Sequence, residues 1–277
     1  MGGAILRGLL DSGKINKEDV VICGRDPEKT RRTADELDVS MADTKQEVTS
    51  ASDVIFIGVE PKAFPDVMPL IAETYQNEKV LISMAAGVTI ESIESYLGDG
   101  AKVVRIMPNA PARVGEIMAS VSPNGNVTPE EADMVVDLLS GMGRAVIVPE
   151  DLISAVIGVS GSSPAYTYMY IRALAKSAAE YGMDEQSALT FAAQAVLGAA
   201  KIVLKDCCGA PDQNPDARLK ADQNPDASKL DALIDAICTP GGTTIEAVKS
   251  LKENDFEGIV RKGAEAAIEK SIVMSKK

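Results

Sequence analysis

The first half of the chain alternates short, uninterrupted apolar runs with helical stretches, and then the strand pattern stops. The runs VVICG from Val20, VIFIGV from Val54, KVLIS from Lys79 and KVVRIM from Lys102 are rich in β-branched residues. Each is followed by a turn signal: GRDP, EPK, AAG and PNAP. Between and after them lie helical stretches at Pro27–Leu37, Pro65–Tyr75, Thr89–Leu97 and Pro129–Met142, several opened by proline or capped by threonine. RAVIVP near Arg144 reads as a last strand. Continuous apolar strands alternating with helices predict parallel strands covered on both faces, an α/β, Rossmann-like doubly wound sheet.

After about Asp151 the sequence carries only helical patterns, such as ALAKSAAEYGMDEQSALTFAAQAVLGAAKIVL, with Gly182 as a break and Asp184 as the next cap. Helices from Ile245 and from Glu257 complete an all-α second half. Two domains are therefore expected, 1–150 with the sheet and 151–277 all-helical. Small residues recur at helical spacing (Ala188, Ala192, Ala195, Gly198, Ala199). They permit close helix packing, either within one chain or between interleaved subunits. The motif DQNPDA occurs at Asp212–Ala217 and again at Asp222–Ala227. Its Pro, Asn and Asp content predicts a polar surface insertion over about 206–228. It lacks the glycine turn and closing glutamate of a calcium loop.

Composition removes whole classes of chemistry. Among 277 residues, 28 Lys and Arg face 41 Asp and Glu, a net charge of −13 that disfavours nucleic acid as a partner. No run approaches the roughly 18 uninterrupted apolar residues of a membrane helix, so no membrane partner is expected. The absence of histidine excludes Ser-His-Asp and Cys-His catalysis and histidine-ligated metals. Without tryptophan and with 4% aromatics, base-stacking platforms are not expected. Cys23, Cys207, Cys208 and Cys238 show no CxxC spacing, which argues against zinc and reads as a cytoplasmic chain with reduced thiols.

Three segments can carry chemistry. Met1-Gly2-Gly3-Ala4 leads into an amphipathic helix (Ile5, Leu6, Leu9, Leu10) with Gly13 as its stop. A dinucleotide-binding unit runs strand, G-x-G-x-x-G, helix, and the helix N-terminus faces the pyrophosphate. Gly2 fits the third glycine, while the first strand and first two glycines are not in this sequence. The run VVIC ends in Gly24-Arg25-Asp26, where an arginine would meet the 2′-phosphate of NADP and an acid the 2′-hydroxyl of NAD. Arg25 points to NADPH, with an exposed turn arginine as the plain alternative. Finally, CTPGGTTIEA from Cys238 opens a helix after a Pro-Gly-Gly turn. Its amides and the Thr243 and Thr244 hydroxyls offer a site for a carboxylate. A simple capped helix would read the same way.

In order, MGGAILRGLL, SDVIFIGVEPK, ISMAAGVTIESIESYLG, VVRIMPNAPARVGE, LISAVIGVSGSSPAYTY, AAQAVLGAAK and TPGGTTIEAV resemble pyrroline-5-carboxylate reductases across essentially the whole chain outside 206–228. The resemblance implies NADPH, or NADH, as cofactor, reduction of the C=N bond of 1-pyrroline-5-carboxylate to L-proline, and a homodimer or a ring of dimers. It places Met1, Gly2, Arg25, Gly58, Val59, Glu60, Pro61, Ala86 and Asn109 along the cofactor, with Ala85–Gly87 on the nicotinamide side. Asn109 and Pro111 would shape the wall toward the substrate. Thr239, Gly242 and Thr243 would hold the substrate carboxylate, and Thr244, as the catalytic residue, would hydrogen-bond the ring nitrogen. Hydride transfer to an imine carbon is carried by the nicotinamide and needs positioning rather than a strong base, which agrees with the missing histidine. Glu60 stands where the family usually has lysine, Ala110 where threonine is common, and Ser163 where glycine is usual. Loss of the family's first strand would expose the edges of two neighbouring strands. Two other readings are a β-hydroxyacid dehydrogenase, with Lys176 as the nearest lysine base, and a non-catalytic helical dimer that has lost its cofactor site.

Overall fold

A computed structural model describes residues 1–208 and 228–275. The DQNPDA repeats lie outside the described residues. The chain divides into two compact units, one of residues 1–161 with the segment from Ile268, the other of Ser162–Ala267.

The first unit opens with α1 (Gly2–Asp11), stopped by Gly13 in the left-handed region, and continues with strand β1 (Val21–Ile22). Helix α2 (Pro27–Leu37) follows, then β2 (Ser40–Met41), α3 (Lys45–Ala51), β3 (Val54–Ile57), α4 (Phe64–Ala72) and β4 (Val80–Ser83). Next come α5 (Ile90–Leu97), β5 (Lys102–Met107), β6 (Ile117–Pro123), α6 (Pro129–Ser140), β7 (Gly143–Ile147) and the short α7 (Ile153–Val156). The caps explain the helix starts. Asp26, Thr44, Thr89 and Thr128 each accept the amide three residues on, and Thr44–Glu47 and Thr128–Glu131 form full capping boxes.

The strands form two sheets rather than one. β1 pairs with β2 alone, and the other sheet runs β3-β4-β5-β6-β7. Among the described residues, β3 is therefore an edge strand, and the edge of β1 away from β2 carries no strand either. The five-stranded sheet also departs from the expected all-parallel arrangement, because β6 runs antiparallel to β5 with Arg105 opposite Ser122. The connection 108–116 is shorter than the dozen or so residues of a crossover, so the chain can only return alongside itself. Helices still cover both faces. Ile5 and Leu9 of α1 and Val135, Val136 and Leu139 of α6 pack on Val80, Ile82, Val104, Ile106 and Val121. Phe64, Met68 and Ile71 of α4 and Ile90 and Ile93 of α5 pack on Ile55, Ile57, Leu81 and Val103.

The second unit is helical: α8 (Ser163–Glu180), α9 (Glu185–Ile202, continued by a π turn to Cys207), α10 (Ser228–Ile237), α11 (Thr243–Glu253) and most of α12 (Phe256–Ser275). Gly182 breaks and Asp184 caps, as the sequence predicts. This unit has almost no interior of its own. Among its described residues only Ala188, Ala192 and Cys207 are buried, while Tyr168, Met169, Leu189, Phe191, Leu197 and Ile259 are exposed. Ala188 and Ala192 are the part of the small-residue stripe buried within the chain; Ala195 and Ala199 remain exposed. By length and composition alone, the helix Glu185–Cys207 is also apolar enough to cross a bilayer, a property the uninterrupted-run criterion overlooked.

Candidate active site

In the first unit, α1 begins at Gly2 with Met1 at its cap position and no side-chain cap. Its leading amides are left for a ligand, and the helix dipole favours an anion there. Gly2 lies directly against Gly58 at the end of β3, where a Cβ on Gly58 would stand 3.2 Å from the Gly2 Cα. A side chain at Gly58 would press on the helix start, whereas one at Gly2 would meet Gly58 at ordinary contact distance, 3.6 Å. This backbone-only approach beside an uncapped helix N-terminus fits a dinucleotide pyrophosphate.

Around that point the charged residues sort themselves. Asp26 is engaged in capping α2, accepting from the Lys29 amide at 3.1 Å. Arg25 and Asp26 are both exposed at the β1 turn, and only Arg25 is not engaged in the cap. Glu60 precedes a 3-10 turn at Pro61–Ala63, and its carboxylate takes an ion pair from Lys62 at 2.8 Å. The Lys62 ammonium holds the Glu60 carboxyl below the usual range, and Arg25 acts in the same direction. The acid at this position is therefore paired with Lys62. Val59 is half-buried, and Gly58 and Pro61 are exposed.

The loop after β4 carries the next group. Ala85 is buried and Ala86 half-buried. Gly87 has φ +78 and packs against Met274 at the end of α12, where an added Cβ would stand 3.4 Å from a backbone oxygen. Side chains therefore meet two obstacles at Gly87. Asn109 is buried, and its polar atoms are used within the protein. Its Nδ2 donates to the Ser160 carbonyl and Oγ at 3.3 and 3.2 Å, and its Oδ1 accepts the Met118 amide at 3.0 Å. It braces the loop Pro108–Glu116 rather than presenting a free amide.

Thr239, Gly242, Thr243 and Thr244, expected from the resemblance to hold the substrate, lie in the second unit. Gly241 at φ +75 turns the chain between α10 and α11, and Gly242 donates its amide to the Thr239 carbonyl at 2.9 Å. A Cβ on Gly242 would stand 2.6 Å from the Thr239 hydroxyl oxygen, so the turn admits no side chain without a shift. α11 then starts at Thr243 with no side-chain cap. The threonine-capped alternative is thereby corrected, because neither threonine is spent on capping. Thr244 is half-buried, and Thr239 and Thr243 are exposed. Lys176 lies exposed on α8.

The structure also adds a pair that sequence reasoning missed. Arg105, buried in β5, donates to Glu150 at 2.9 Å, and the same Glu150 oxygen accepts the Ile90 amide at 2.8 Å. The signal was present as a charge inside an otherwise apolar strand, since a buried arginine requires a partner.

Comparison with known proteins decides the family. Residues 150–274 match the family described as pyrroline-5-carboxylate reductase dimerisation, and residues 1–87 match NADP oxidoreductase, coenzyme F420-dependent. The Escherichia coli pyrroline-5-carboxylate reductase is 38% identical over 276 residues, covering 100% of this chain and 95% of that protein. The chain belongs to the pyrroline-5-carboxylate reductase family. The Methanosarcina acetivorans reductase is 32% identical over the same shares of both chains. Among solved structures, Plasmodium falciparum pyrroline carboxylate reductase with NADP bound superposes with a TM-score of 0.81 at 27% identity, covering 99% of this chain and 94% of that one. These matches support neither the β-hydroxyacid dehydrogenase nor the non-catalytic reading.

Proposed function

We propose that this chain reduces 1-pyrroline-5-carboxylate to L-proline with NAD(P)H. The relation to the Escherichia coli reductase over the full chain carries the reaction. The uncapped start of α11 supports a substrate carboxylate at that helix end. When bound, the nicotinamide supplies the hydride. The protein's own part is binding and orientation. Gly2 and Gly58 let the backbone close on the pyrophosphate, with Met1, Val59, Glu60 and Pro61 alongside. Arg25 meets the 2′-phosphate of NADPH, and Ala86 lies on the nicotinamide side.

The Thr243 and Thr244 amides, with Thr239 and the Gly242 turn, hold the substrate carboxylate at the positive end of α11. The Thr244 hydroxyl hydrogen-bonds the ring nitrogen and fixes the face of the imine presented for reduction. Asn109 acts at one remove, holding the wall in which Pro111 sits.

The second unit is a subunit surface. A helical unit with three buried residues among those described cannot offset its own chain entropy, and the exposed apolar faces of α8 and α9 supply the missing interior when two copies interleave. We infer a homodimer, and a ring of dimers built from it, in the cytoplasm. The exposed apolar surface of Glu185–Cys207 belongs to that interface rather than to a bilayer.

A thermal shift separates this reading from a chain without a cofactor site. Saturating NADPH should raise the melting temperature by mass action, and by more than NADH does. An unchanged midpoint with both cofactors would overturn the proposal.

A further inference from the structure

The loop Met84–Thr89 is tied at both ends by side chains that the reading above leaves without a role. At its start, Ser83 accepts the Ala85 amide at 3.3 Å. At its end, Glu150 accepts the Ile90 amide, the first of α5, at 2.8 Å. That amide has no partner inside its own helix, and a carboxylate at a helix N-terminus is favoured by the dipole. Glu150 is itself fixed by Arg105 at 2.9 Å. The arginine side chain is 4% exposed and Glu150 30% exposed, so the pair holds with little competition from water. Ser83, Arg105 and Ser122 lie side by side across three strands, a polar row at the end of the sheet on the α4 and α5 face. Ser122 is anchored in turn to the Val148 carbonyl at 2.8 Å, two residues before Glu150.

We propose that Glu150 is a positioning residue for the reduction. It holds the Ala85–Gly87 loop, and with it Ala86, at the height the nicotinamide requires. The proposal rests on the placement of that loop beside the nicotinamide in the functional reading above. Glu150 is among neither the cofactor-binding nor the substrate-binding residues named above. Its effect passes through the Ile90 amide, and Arg105 fixes the carboxylate that does the holding. Displacement of a reacting group by about 1 Å costs on the order of a hundredfold in rate. Release of one end of a short loop should therefore lower kcat while sparing contacts elsewhere along the cofactor.

The test compares Glu150→Ala and Glu150→Gln with the parent chain. In Glu150→Ala we expect kcat to fall roughly ten- to hundredfold. The primary isotope effect with C4-deuterated NADPH should rise, because the hydride step becomes limiting. Affinity for 2′,5′-ADP, which probes only the far end of the cofactor, should stay within about twofold, well under the tenfold that corresponds to one lost contact. Glu150→Gln keeps a carbonyl facing Ile90 and Arg105 and should retain most of the turnover.

A second readout needs no cofactor: amide hydrogen exchange over residues 84–90 should speed up in Glu150→Ala and hold in Glu150→Gln. If the lone arginine prevents Glu150→Ala from folding, Arg105→Met/Glu150→Met removes both charges and should show the same losses. Unchanged kcat in Glu150→Ala overturns the proposal. So does a fall in kcat that comes with equal loss of 2′,5′-ADP affinity and no change in the isotope effect, because that is the mark of general destabilisation. A parent chain that turns over no substrate would instead overturn the functional reading itself.

Discussion

Replacing Phe191 by alanine should break the subunit contact without touching the cofactor site. The ring sits on α9 and is 69% exposed in the single chain. An aromatic side chain of about 200 Å² leaves about 140 Å² at that exposure for a partner to cover, worth about 3.5 kcal/mol at 25 cal/mol per Å². A two-fold contact uses the same residue twice, so the dimer draws about 7 kcal/mol from the pair. Alanine keeps only a small part of that area, and the remaining loss of about 5 kcal/mol corresponds to three to four decades in dimer dissociation constant. Mass photometry at nanomolar concentration should show a dimer or larger ring for the parent and a shift to single chains for Phe191→Ala. The variant's melting temperature should depend on protein concentration. Parent-like mass at the same dilution, with a concentration-independent midpoint, would refute the argument that this unit takes its interior from a second copy.

Three further outcomes follow from the same structure. Arg25→Ala should raise the KM for NADPH by tenfold or more, from loss of one charge-assisted contact of about 1.5–3 kcal/mol, and leave NADH nearly unchanged. Equal losses for both cofactors would remove Arg25 from the 2′-phosphate. Thr244→Val should lower kcat by at least tenfold, the cost of about 1.4 kcal/mol in the transition state, with little effect on NADPH binding. The opposite pattern would take Thr244 off the imine. Glu131 accepts from Lys102 at 2.6 Å and from the Thr128 amide, which hold its carboxyl below the usual carboxylate value of 4.5. Because the folded chain releases this proton more readily than the unfolded one, its stabilisation is complete above that value and fades as pH falls below it. Glu131→Gln should therefore flatten the acid side of a stability–pH curve below the usual carboxylate value of 4.5, and an unaltered slope would contradict the pairing.

Where pattern and local chemistry agreed, the sequence was readable almost to the residue. Pro27–Leu37 and Lys102–Met107 form as expected because a proline-opened, Asp-capped helix and an uninterrupted apolar strand need little tertiary help. What stayed hidden depended on contacts distant in sequence. β6 was missed because Ser120 and Ser122, both buried, interrupt its apolar character, and only the short return from β5 makes it a strand. β2 is two residues long and exists through its pairing with β1. α3 carried a readable capping box at Thr44 and Glu47 but little apolar periodicity over its seven residues.

At the site, the glycines and the Pro-Gly-Gly turn were legible because their backbone requirements are local. The engagement of Asp26 in a cap could also be read from spacing, and it leaves Arg25 as the charge of that turn outside the cap. The Asn109 brace and the Arg105–Glu150 tether were not legible, because their partners lie 51 and 45 residues away.

The most direct test of the account is NADPH oxidation by the purified chain with and without 1-pyrroline-5-carboxylate, followed by chiral analysis of the amino acid formed. The account predicts oxidation only when the imine is present, with one L-proline formed for each NADPH consumed. Oxidation independent of the imine, or none with it, would contradict the assignment.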